Sequence, residues 1–255
     1  MKFSRIPGSS PLASCLLPLA FCLFLTPVFS QELDPKVTEI WEPQVRVVTP
    51  GQGTRPPSDA IVLFNGSNFS EWISDKDSSA VKWYMNGDSS MTVQPQAGGI
   101  RTKRSFGDFQ LHIEFRSPVA VKGEGQGRGN SGIFLQNRYE IQVLDSYQNR
   151  TYSNGQCGSV YKQTMPLVNA CRKPGEWQAY DILYTAPRFN TDGQLLLPGH
   201  VTVLQNGVVV QLNTEIRGTT EYRGLPKNAA HGKGSISLQD HGDLVSYRNI
   251  WIREF

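Results

Sequence analysis

The sequence predicts an all-β protein, a sandwich or jelly roll of one domain. From Ala60 onward, short runs rich in Val, Ile, Phe, Tyr and Trp recur, and each is bounded by Gly, Asn, Asp or Pro. No run has the apolar spacing of an amphipathic helix. The segment that starts at Asp59, about 195 residues, is long enough for two stacked sheets. The predicted strands are Ile61–Phe64, Trp83–Tyr84, Met91–Val93, Phe109–Phe115, Gly132–Gln136, Tyr139–Leu144, Ser159–Tyr161, Trp177–Tyr184, His200–Leu204, Val208–Leu212, Gly234–Leu238 and Val245–Phe255.

Two of these runs also predict local geometry. Asn206-Gly207 stands between two alternating runs and is the strongest short signal for a β-hairpin, with Gln205 and Gln211 expected on its solvent face. Phe109–Phe115 alternates cleanly, so that its apolar residues should point into the core. His112 lies on the opposite face of that strand, and we expect it at the surface.

The start of the chain predicts export. Lys2 and Arg5 precede an apolar run, Cys15–Ser30, that is short and interrupted by two prolines. This pattern is typical of a secretory signal peptide rather than a membrane span, with cleavage before Gln31. The sequence therefore divides into a signal peptide at 1–30, an extended lead-in at 31–58 rich in Pro, Glu and Gln, and a sandwich domain at 59–255. We expect the mature protein to be periplasmic or secreted.

The charge of the mature chain argues against nucleic acid as a partner. The full sequence has a formal charge of +3, and removal of Lys2 and Arg5 with the signal peptide leaves +1. A nearly neutral chain without a basic stripe lacks the electrostatic footprint of a nucleic-acid-binding protein.

Two cysteines remain after the signal peptide, Cys157 and Cys171. An even pair in an exported chain most simply forms one disulfide. A metal pair is disfavoured, since no CxxC motif or zinc-type histidine spacing accompanies them.

Candidate catalytic residues lie on the predicted hairpin Asn130–Asp145. In an extended strand alternate side chains share a face, so Glu140 and Gln142 point the same way while the apolar residues between them face the core. Asp145 is out of step and would return to that face only through a bulge near Val143 or Leu144. Two carboxyl groups and an amide on one face form a plausible acid/base apparatus, although each could also be an ordinary surface residue.

Further polar candidates flank the hairpin. Arg128 and Asn130 lie on a glycine-rich loop before it, where Arg128 could stabilise an anionic intermediate or could simply be solvated. The loop formally contains GxGxxG, but a strand follows it instead of a helix, which excludes a dinucleotide site. His241 stands in a dense polar turn before the last strand and suits proton transfer near neutral pH, or caps the turn.

Several short motifs, in order, resemble the 3-keto-disaccharide hydrolase family. They are Phe64-Asn-Gly66 with Trp72, Asn130-Ser-Gly-Ile-Phe134, Tyr139-Glu-Ile-Gln-Val-Leu-Asp145, Gly175-Glu-Trp177 with Tyr180-Asp181, Asn206-Gly207, Leu238-Gln-Asp-His-Gly242 and Arg248-Asn-Ile-Trp-Ile-Arg253. The resemblance implies a concanavalin-like jelly-roll sandwich of two antiparallel sheets with its site on the concave face. It also implies export by bacteria that degrade glycans, and cleavage of glycosides already oxidised to a ketone at sugar carbon 3.

A 3-ketone acidifies the hydrogen at C2, so that a base can remove it and the C1 leaving group can then depart. This chemistry requires a base, an acid and a group that stabilises the enolate. Our hypothesis gives the catalytic roles to Glu140 or His241 as base and Asp145 as acid. The enolate would be stabilised by Arg128, Lys162 or a bound divalent cation, and sugar hydroxyls would be oriented by Asn130, Gln142 and Gln239. No other cofactor follows from the sequence.

Two alternatives use the same residues differently. Glu140-x-Gln142-x-x-Asp145 resembles the Glu-x-Asp-x-x-Glu strand of retaining β-glucanases, which needs its two carboxyl groups roughly 5–5.5 Å apart. Here the middle acid is Gln and the last is the shorter Asp. A carbohydrate-binding module without turnover is the other alternative, with aromatic rings stacking on sugars. The rings available for this are Trp72, Trp83, Tyr139, Tyr147 and Tyr161.

Overall fold

The computed structural model describes residues 33–255, which divide into a short segment and a compact body. The segment, residues 33–46, contains one 3₁₀ turn at Pro35–Thr38 with no buried side chain. The body comprises Val47–Phe255. The predicted signal peptide, 1–30, lies outside the described residues. Between residues 33 and 255, no helix is long and apolar enough to cross a membrane.

The body is a sandwich of antiparallel sheets, and the predicted concanavalin-like jelly roll is confirmed. Its strands within the described residues are β1 Ile61–Phe64, β2 Trp72–Ser74, β3 Tyr84–Met85, β4 Met91–Thr92, β5 Ile100–Thr102, β6 Phe109–Arg116, β7 Ser131–Leu135, β8 Tyr139–Val143, β9 Gln178–Thr185, β10 Arg188–Phe189, β11 Leu195–Leu197, β12 Gly199–Gln205, β13 Val208–Ile216, β14 Ser237–Leu238 and β15 Ser246–Glu254. The larger sheet has the order β13-β12-β9-β6-β15-β4-β3, with β1 also paired to β15. The smaller sheet has the order β2-β5-β14-β7-β8, and β10 and β11 form a separate ribbon.

The core consists of the apolar residues that these strands point inward. The alternation predicted for β6 is confirmed, because its four apolar residues are all fully buried in the core. Trp72, Trp83 and Tyr139, which the binding-module alternative would place against sugar rings, are core residues as well. Trp83 stacks on Tyr247 within the core.

The prediction of a surface position for His112 is wrong. Its side chain is buried between β9 and β15, where Nδ1 lies 2.7 Å from Asp181 Oδ1 and the ring stacks on Trp251. Glu114, two residues along the strand, accepts hydrogen bonds from Thr54 and Arg248. The outer face of this sheet is therefore covered by the segment around Thr54, which the alternation of β6 alone does not reveal.

Alkaline pH is expected to weaken the fold through His112. Burial alone lowers the pKa of His112, but the hydrogen bonds and charges of Asp181 and Glu114 outweigh it and raise this pKa to about 9. Because the folded-state pKa exceeds the unfolded value, the stabilisation is complete below pH 6.5 and is lost as pH rises through 9. With Asp181 partly exposed, we expect a loss of about 1–3 kcal/mol in the free energy of unfolding between pH 6 and pH 10. Urea titrations at both pH values should show a smaller loss for Asp181→Asn, and an equal loss in both proteins would contradict this origin.

The predicted hairpin at Asn206-Gly207 is confirmed, since it joins β12 and β13 with positive φ at both turn residues. The expected solvent exposure of Gln205 and Gln211 is wrong. Gln205 continues the buried face of β12, and its amide donates to Gln178 Oε1 at 3.0 Å. Gln211 is also buried and donates to backbone carbonyls of a neighbouring loop. Hydrogen-bond partners from other parts of the chain thus replace water at both positions.

The expected disulfide is not formed. Cys157 and Cys171 are free thiols, although both sulfur atoms approach the Gln205 amide, at 3.6 Å and 3.2 Å. Cys157 is buried, and burial raises the pKa of its thiol. Its Sγ also lies 3.0 Å from the hydroxyl of Tyr180. In this structure the two cysteines stabilise the fold by packing and hydrogen bonding and not by a covalent crosslink.

Candidate active site

The candidate site is built on the β7–β8 hairpin of the smaller sheet. The two strands pair in antiparallel register from Ser131 opposite Val143 to Leu135 opposite Tyr139. Tyr139, Ile141 and Val143 belong to the core, so the alternation of β8 places its two polar side chains on the other face of the sheet. These polar residues are Glu140 and Gln142, as the sequence predicts.

Asp145 does not line the cavity that contains Glu140. β8 ends at Val143 with no bulge in its pairing to β7, and the Ser146 N–H closes a tight turn on the Leu144 carbonyl at 3.0 Å. Both oxygens of Asp145 are engaged: Oδ2 accepts from Arg128 Nε at 2.7 Å, and Oδ1 accepts from the Tyr147 N–H at 3.1 Å.

Arg128 and Asp145 therefore belong to a second, smaller cavity. That cavity has a volume of about 150 Å³ and lies beside Gly129 and Asp243. Arg128 also donates to the Tyr147 carbonyl at 3.0 Å. The pair holds the glycine-rich loop against the turn after β8, and the structure does not bring either residue into the cavity that contains Glu140.

The cavity that contains Glu140, called the main cavity from here on, has a volume of about 440 Å³ and brings together most of the predicted site residues. Its lining includes Gln126, Asn130, Phe134, Glu140, Gln142, Tyr152, Tyr161, Lys162, Thr220, Tyr222, Gln239 and His241. Six of these were predicted for catalysis or substrate binding from the sequence: Asn130, Glu140, Gln142, Lys162, Gln239 and His241. The cavity is large enough for a sugar ring and is lined by hydrogen-bonding and aromatic groups, which is typical of carbohydrate sites.

Glu140 is the titratable group with the most altered environment in this cavity. The residue is 4 % exposed. Burial raises the pKa of Glu140 to about 8. A carboxyl group with a pKa near the working pH is suited to act as a general base, because it is basic enough to take a proton and still partly ionised.

Gly132 provides the space for this carboxyl group. It stands on β7 opposite Gln142, and a Cβ atom added there would lie 2.5 Å from Glu140 Oε1. The Gln142 amide lies 3.2 Å from the same oxygen and donates to it when its nitrogen faces Glu140, an orientation that also gives a 2.9 Å bond to the Ser131 carbonyl. The Glu140 carboxyl group thus occupies the space left by the missing side chain of Gly132. It also lies next to the Gln142 amide, which can donate a hydrogen bond to it.

Replacing Gly132 by Ala is expected to displace the Glu140 carboxyl group. The backbone of Gly132 does not require a positive φ, so that the fold should persist. We expect roughly a tenfold loss of kcat, because a displacement of about 1 Å at a reacting group costs up to a hundredfold. Steady-state kinetics and thermal melting test this together. Gly127→Ala, where an added Cβ meets no atom within 4 Å, is the matched control and should leave kcat unchanged.

A cationic and aromatic wall forms another part of the cavity. Lys162 Nζ lies 4.2 Å from the ring centre of Tyr152 and 5.3 Å from that of Tyr222. The hydroxyl groups of Tyr152 and Tyr161 are 2.6 Å apart. These rings hold the ammonium group by cation–π contacts at the side of the cavity. Lys162 was predicted from the sequence, but Tyr152 and Tyr222 were not, because they lie in irregular segments where no period gives a signal.

The remaining predicted residues of the cavity, Asn130, Gln239 and His241, differ in how they are held. Asn130 is buried, with its N–H donating to Asp243 Oδ2 at 2.7 Å and its amide donating to the Gln126 carbonyl at 2.7 Å. Gln239 Oε1 is buried and accepts no hydrogen bond from any described residue. A buried acceptor without a donor is costly unless a ligand supplies one. His241 is exposed at the cavity surface.

The structure offers no ready metal centre in its described part. Between residues 33 and 255, no group of three or more His, Cys, Asp or Glu side chains is placed to hold a metal ion. The lining of the main cavity presents one buried carboxyl group, one imidazole, one ammonium group, several amides and several hydroxyl groups.

Comparison with known proteins identifies the family. The model of the 3-keto-alpha-glucoside-1,2-lyase-like domain matches residues 59–253. The chain belongs to this family. Membership supports a carbohydrate-active enzyme, in agreement with the resemblance carried by the sequence motifs. No curated protein matches the chain.

Solved structures of similar proteins come from Parabacteroides distasonis. One, described as a proposed glycosyl hydrolase, is 51% identical, covers 90% of this chain and 100% of its own, and superposes with a TM-score of 0.85. Two others with the same description are 19% and 24% identical, with TM-scores of 0.57 and 0.54, and each covers 77% of this chain. They cover 94% and 99% of their own chains. The two distant structures agree in fold.

Proposed function

We propose that this protein cleaves glycosides carrying a ketone at sugar carbon 3, by removing the C2 proton and releasing the group attached to C1. The observation that carries the proposal is the placement of Glu140, a buried carboxyl group with a pKa of about 8 inside a sugar-sized cavity. The hydrogen at C2 is acidic only because the neighbouring ketone can take up the electrons. A carboxylate made more basic by burial is matched to that acidity.

The first step transfers the C2 proton to the Glu140 carboxylate. The electrons of the C2–H bond form a C2–C3 double bond, and the ketone oxygen becomes an enolate. Lys162 lines the cavity, and its ammonium group is the proposed partner of this developing charge. Asn130, Gln142 and Gln239 are proposed to orient the sugar hydroxyls, and the unpartnered Oε1 of Gln239 is an acceptor available for one of them.

The second step breaks the bond between C1 and the leaving oxygen. The enolate electrons return to form a C1–C2 double bond, the ketone at C3 is restored, and the leaving oxygen takes a proton. We assign this proton to His241, which lines the cavity, in place of Asp145, whose carboxyl group is committed to Arg128. Addition of water across the new double bond would then give the free 3-keto sugar.

The geometry does not favour a retaining glucanase. That mechanism needs a second carboxyl group facing Glu140 across the scissile bond. Asp145 lines the other cavity and both of its oxygens are already hydrogen-bonded. Elimination needs only one carboxylate and therefore fits the residues present.

A matched pair of substrates tests the proposal. The purified protein is incubated with two aryl α-glucosides that differ only in bearing a 3-hydroxyl or a 3-ketone, and the Glu140→Gln protein serves as the blank for spontaneous elimination. We expect release of the aryl group from the ketone alone. Release from the unoxidised glucoside would overturn the elimination mechanism in favour of direct hydrolysis. A parallel series with a chelator determines whether a divalent cation contributes to stabilising the enolate.

We also propose that the protein is exported, on the basis of the signal sequence in residues 1–30. Expressed in a Gram-negative host, it should accumulate outside the cytoplasm and begin at Gln31. N-terminal sequencing of the periplasmic and medium fractions checks this, and recovery of an uncleaved chain from the cytoplasm would contradict it.

A further inference from the structure

The three tyrosines that line the main cavity differ in solvent exposure, and these differences locate the opening of the cavity. Tyr161 is 9% exposed, Tyr152 is 37% exposed and Tyr222 is 70% exposed. All three line the same cavity as Glu140. The cavity therefore runs from the buried carboxyl group on β8 toward solvent, and Tyr222 is the aromatic ring at its open end.

Tyr222 is held in place relative to the proposed base. Two residues before it, Thr220 accepts a hydrogen bond from the Glu140 N–H at 2.9 Å through its hydroxyl oxygen, and its own N–H donates to the Arg138 carbonyl at 2.9 Å. The base of the same loop is closed by the Thr219 N–H donating to the Lys227 carbonyl. The loop that carries the ring is thus attached directly to the strand that carries Glu140.

The ring itself is largely unburied. Its ring contacts include two cations, Lys162 Nζ at 5.3 Å and Arg223 Cζ at 5.9 Å from the ring centre. An exposed tyrosine that belongs to no apolar core and stands at the entrance of a cavity has a face available for a ligand. A tyrosine ring offers this face at a low cost in conformational entropy.

The direction of the substrate follows from the position of Glu140. If Glu140 removes the proton at C2, the reacting sugar occupies the buried part of the cavity. The group on the adjacent carbon, C1, must then extend away from β8 toward the open end where Tyr222 lies. The residue best placed to contact the leaving group is therefore one that no sequence motif indicates.

We propose that Tyr222 forms a binding subsite for the leaving group and selects glycosides whose leaving group has a flat ring face, either a second sugar ring or an aryl group. This inference rests on the proposed function, because it takes the direction of the substrate from the role of Glu140. Stacking on one ring accounts for roughly a tenfold effect on binding.

Two pairs of ligands test the subsite. The kinetic pair is 4-nitrophenyl and methyl 3-keto-α-glucoside, and the binding pair is the unoxidised 4-nitrophenyl and methyl α-glucoside, titrated calorimetrically. The proteins are the wild type, Tyr222→Ala and Tyr222→Phe. Tyr84→Ala is the matched control, because Tyr84 is 50% exposed on β3 and does not line the main cavity.

We expect Tyr222→Ala to lower kcat/KM for the aryl 3-keto-glucoside about tenfold and for the methyl compound less than twofold, with a matching loss of affinity for the unoxidised aryl glucoside. Tyr222→Phe and Tyr84→Ala should resemble the wild type. Equal losses for both leaving groups, or no loss for either, would overturn the subsite. If the wild type cleaves neither ketone, the proposed function fails. In that case the subsite is supported only if Tyr222→Ala weakens binding of the aryl glucoside and not of the methyl glucoside. Equal binding of the aryl glucoside by the wild type and Tyr222→Ala would overturn the subsite as well.

Discussion

Replacing Glu140 by Gln is expected to lower kcat on a 3-keto-glucoside by about 10²–10⁴, the usual contribution of a positioned general base. The substitution keeps the shape of the side chain and its contact with the Gln142 amide while removing its ability to accept a proton. Steady-state kinetics against the wild type measures the effect. Turnover within threefold of the wild type would exclude Glu140 as the base.

The same variant should be more stable than the wild type, which separates lost chemistry from lost folding. Burial raises the folded-state pKa of Glu140 to about 8, far above its unfolded value, so ionisation at neutral pH opposes folding. This cost grows as pH rises from about 4.5 to 8 and is on the order of 3 kcal/mol at pH 7. Gln is neutral throughout, so Glu140→Gln should raise the melting temperature at pH 7. Glu221→Gln, on the neighbouring loop outside the cavity lining, is the matched control and should change neither quantity.

The pH dependence of the wild type follows from the same carboxyl group. Only the ionised form can accept the C2 proton, so the rising limb of kcat/KM should have its midpoint near pH 8, the value that burial gives to the pKa of Glu140. Below the midpoint the rate should fall tenfold per pH unit. A profile that is flat from pH 6 to pH 9 would contradict the assignment.

The strands that the sequence predicted well are those with a local signal. β1 was predicted with its observed bounds, and the two hairpins at Asn206-Gly207 and at the end of β7 follow from turn formers between alternating runs. β2 and β5 were missed, because three-residue strands such as Trp72–Ser74 and Ile100–Thr102 are too short to show a period. The predicted run Ser159–Tyr161 pairs only through single bridges at Val160 in the described part of the chain.

The errors at polar residues have a common cause. Alternation along a strand tells which side chains share a face, but it does not tell whether another segment covers that face. His112 was placed at the surface and is instead covered by residues around Thr54, whose carbonyl accepts from Trp251. Gln205 was also predicted to face solvent, and it is buried as well. Such coverage depends on contacts between residues far apart in the sequence.

The site could be predicted only in part for a similar reason. Glu140 and Gln142 follow from strand periodicity, and Lys162, Gln239 and His241 also line the cavity. Asp145 depended on a bulge, and one residue determines whether a side chain reaches one face or the other. Tyr222 lies on a loop anchored by Thr220, a contact between residues 80 positions apart that leaves no pattern in the sequence.

Replacing Lys162 by Met is expected to lower kcat by about 10²–10³, the effect of removing one preorganised group that stabilises a developing oxyanion. Met keeps the length of the side chain and can pack against Tyr152 and Tyr222 without the charge. The backbone of Lys162 has a φ of 62°, and Met has a similar unbranched side chain, so the backbone strain should be unchanged. Lys227→Met, an exposed lysine outside the cavity lining, is the matched control and should have the activity of the wild type.

The step that Lys162 assists can be identified with a substrate deuterated at C2. If the ammonium group stabilises the enolate, Lys162→Met should slow the loss of deuterium from C2 as much as it slows release of the leaving group, because both require that enolate. If deuterium loss continues at the wild-type rate while release slows, Lys162 assists departure of the leaving group instead. Unchanged rates of both steps would remove Lys162 from the mechanism.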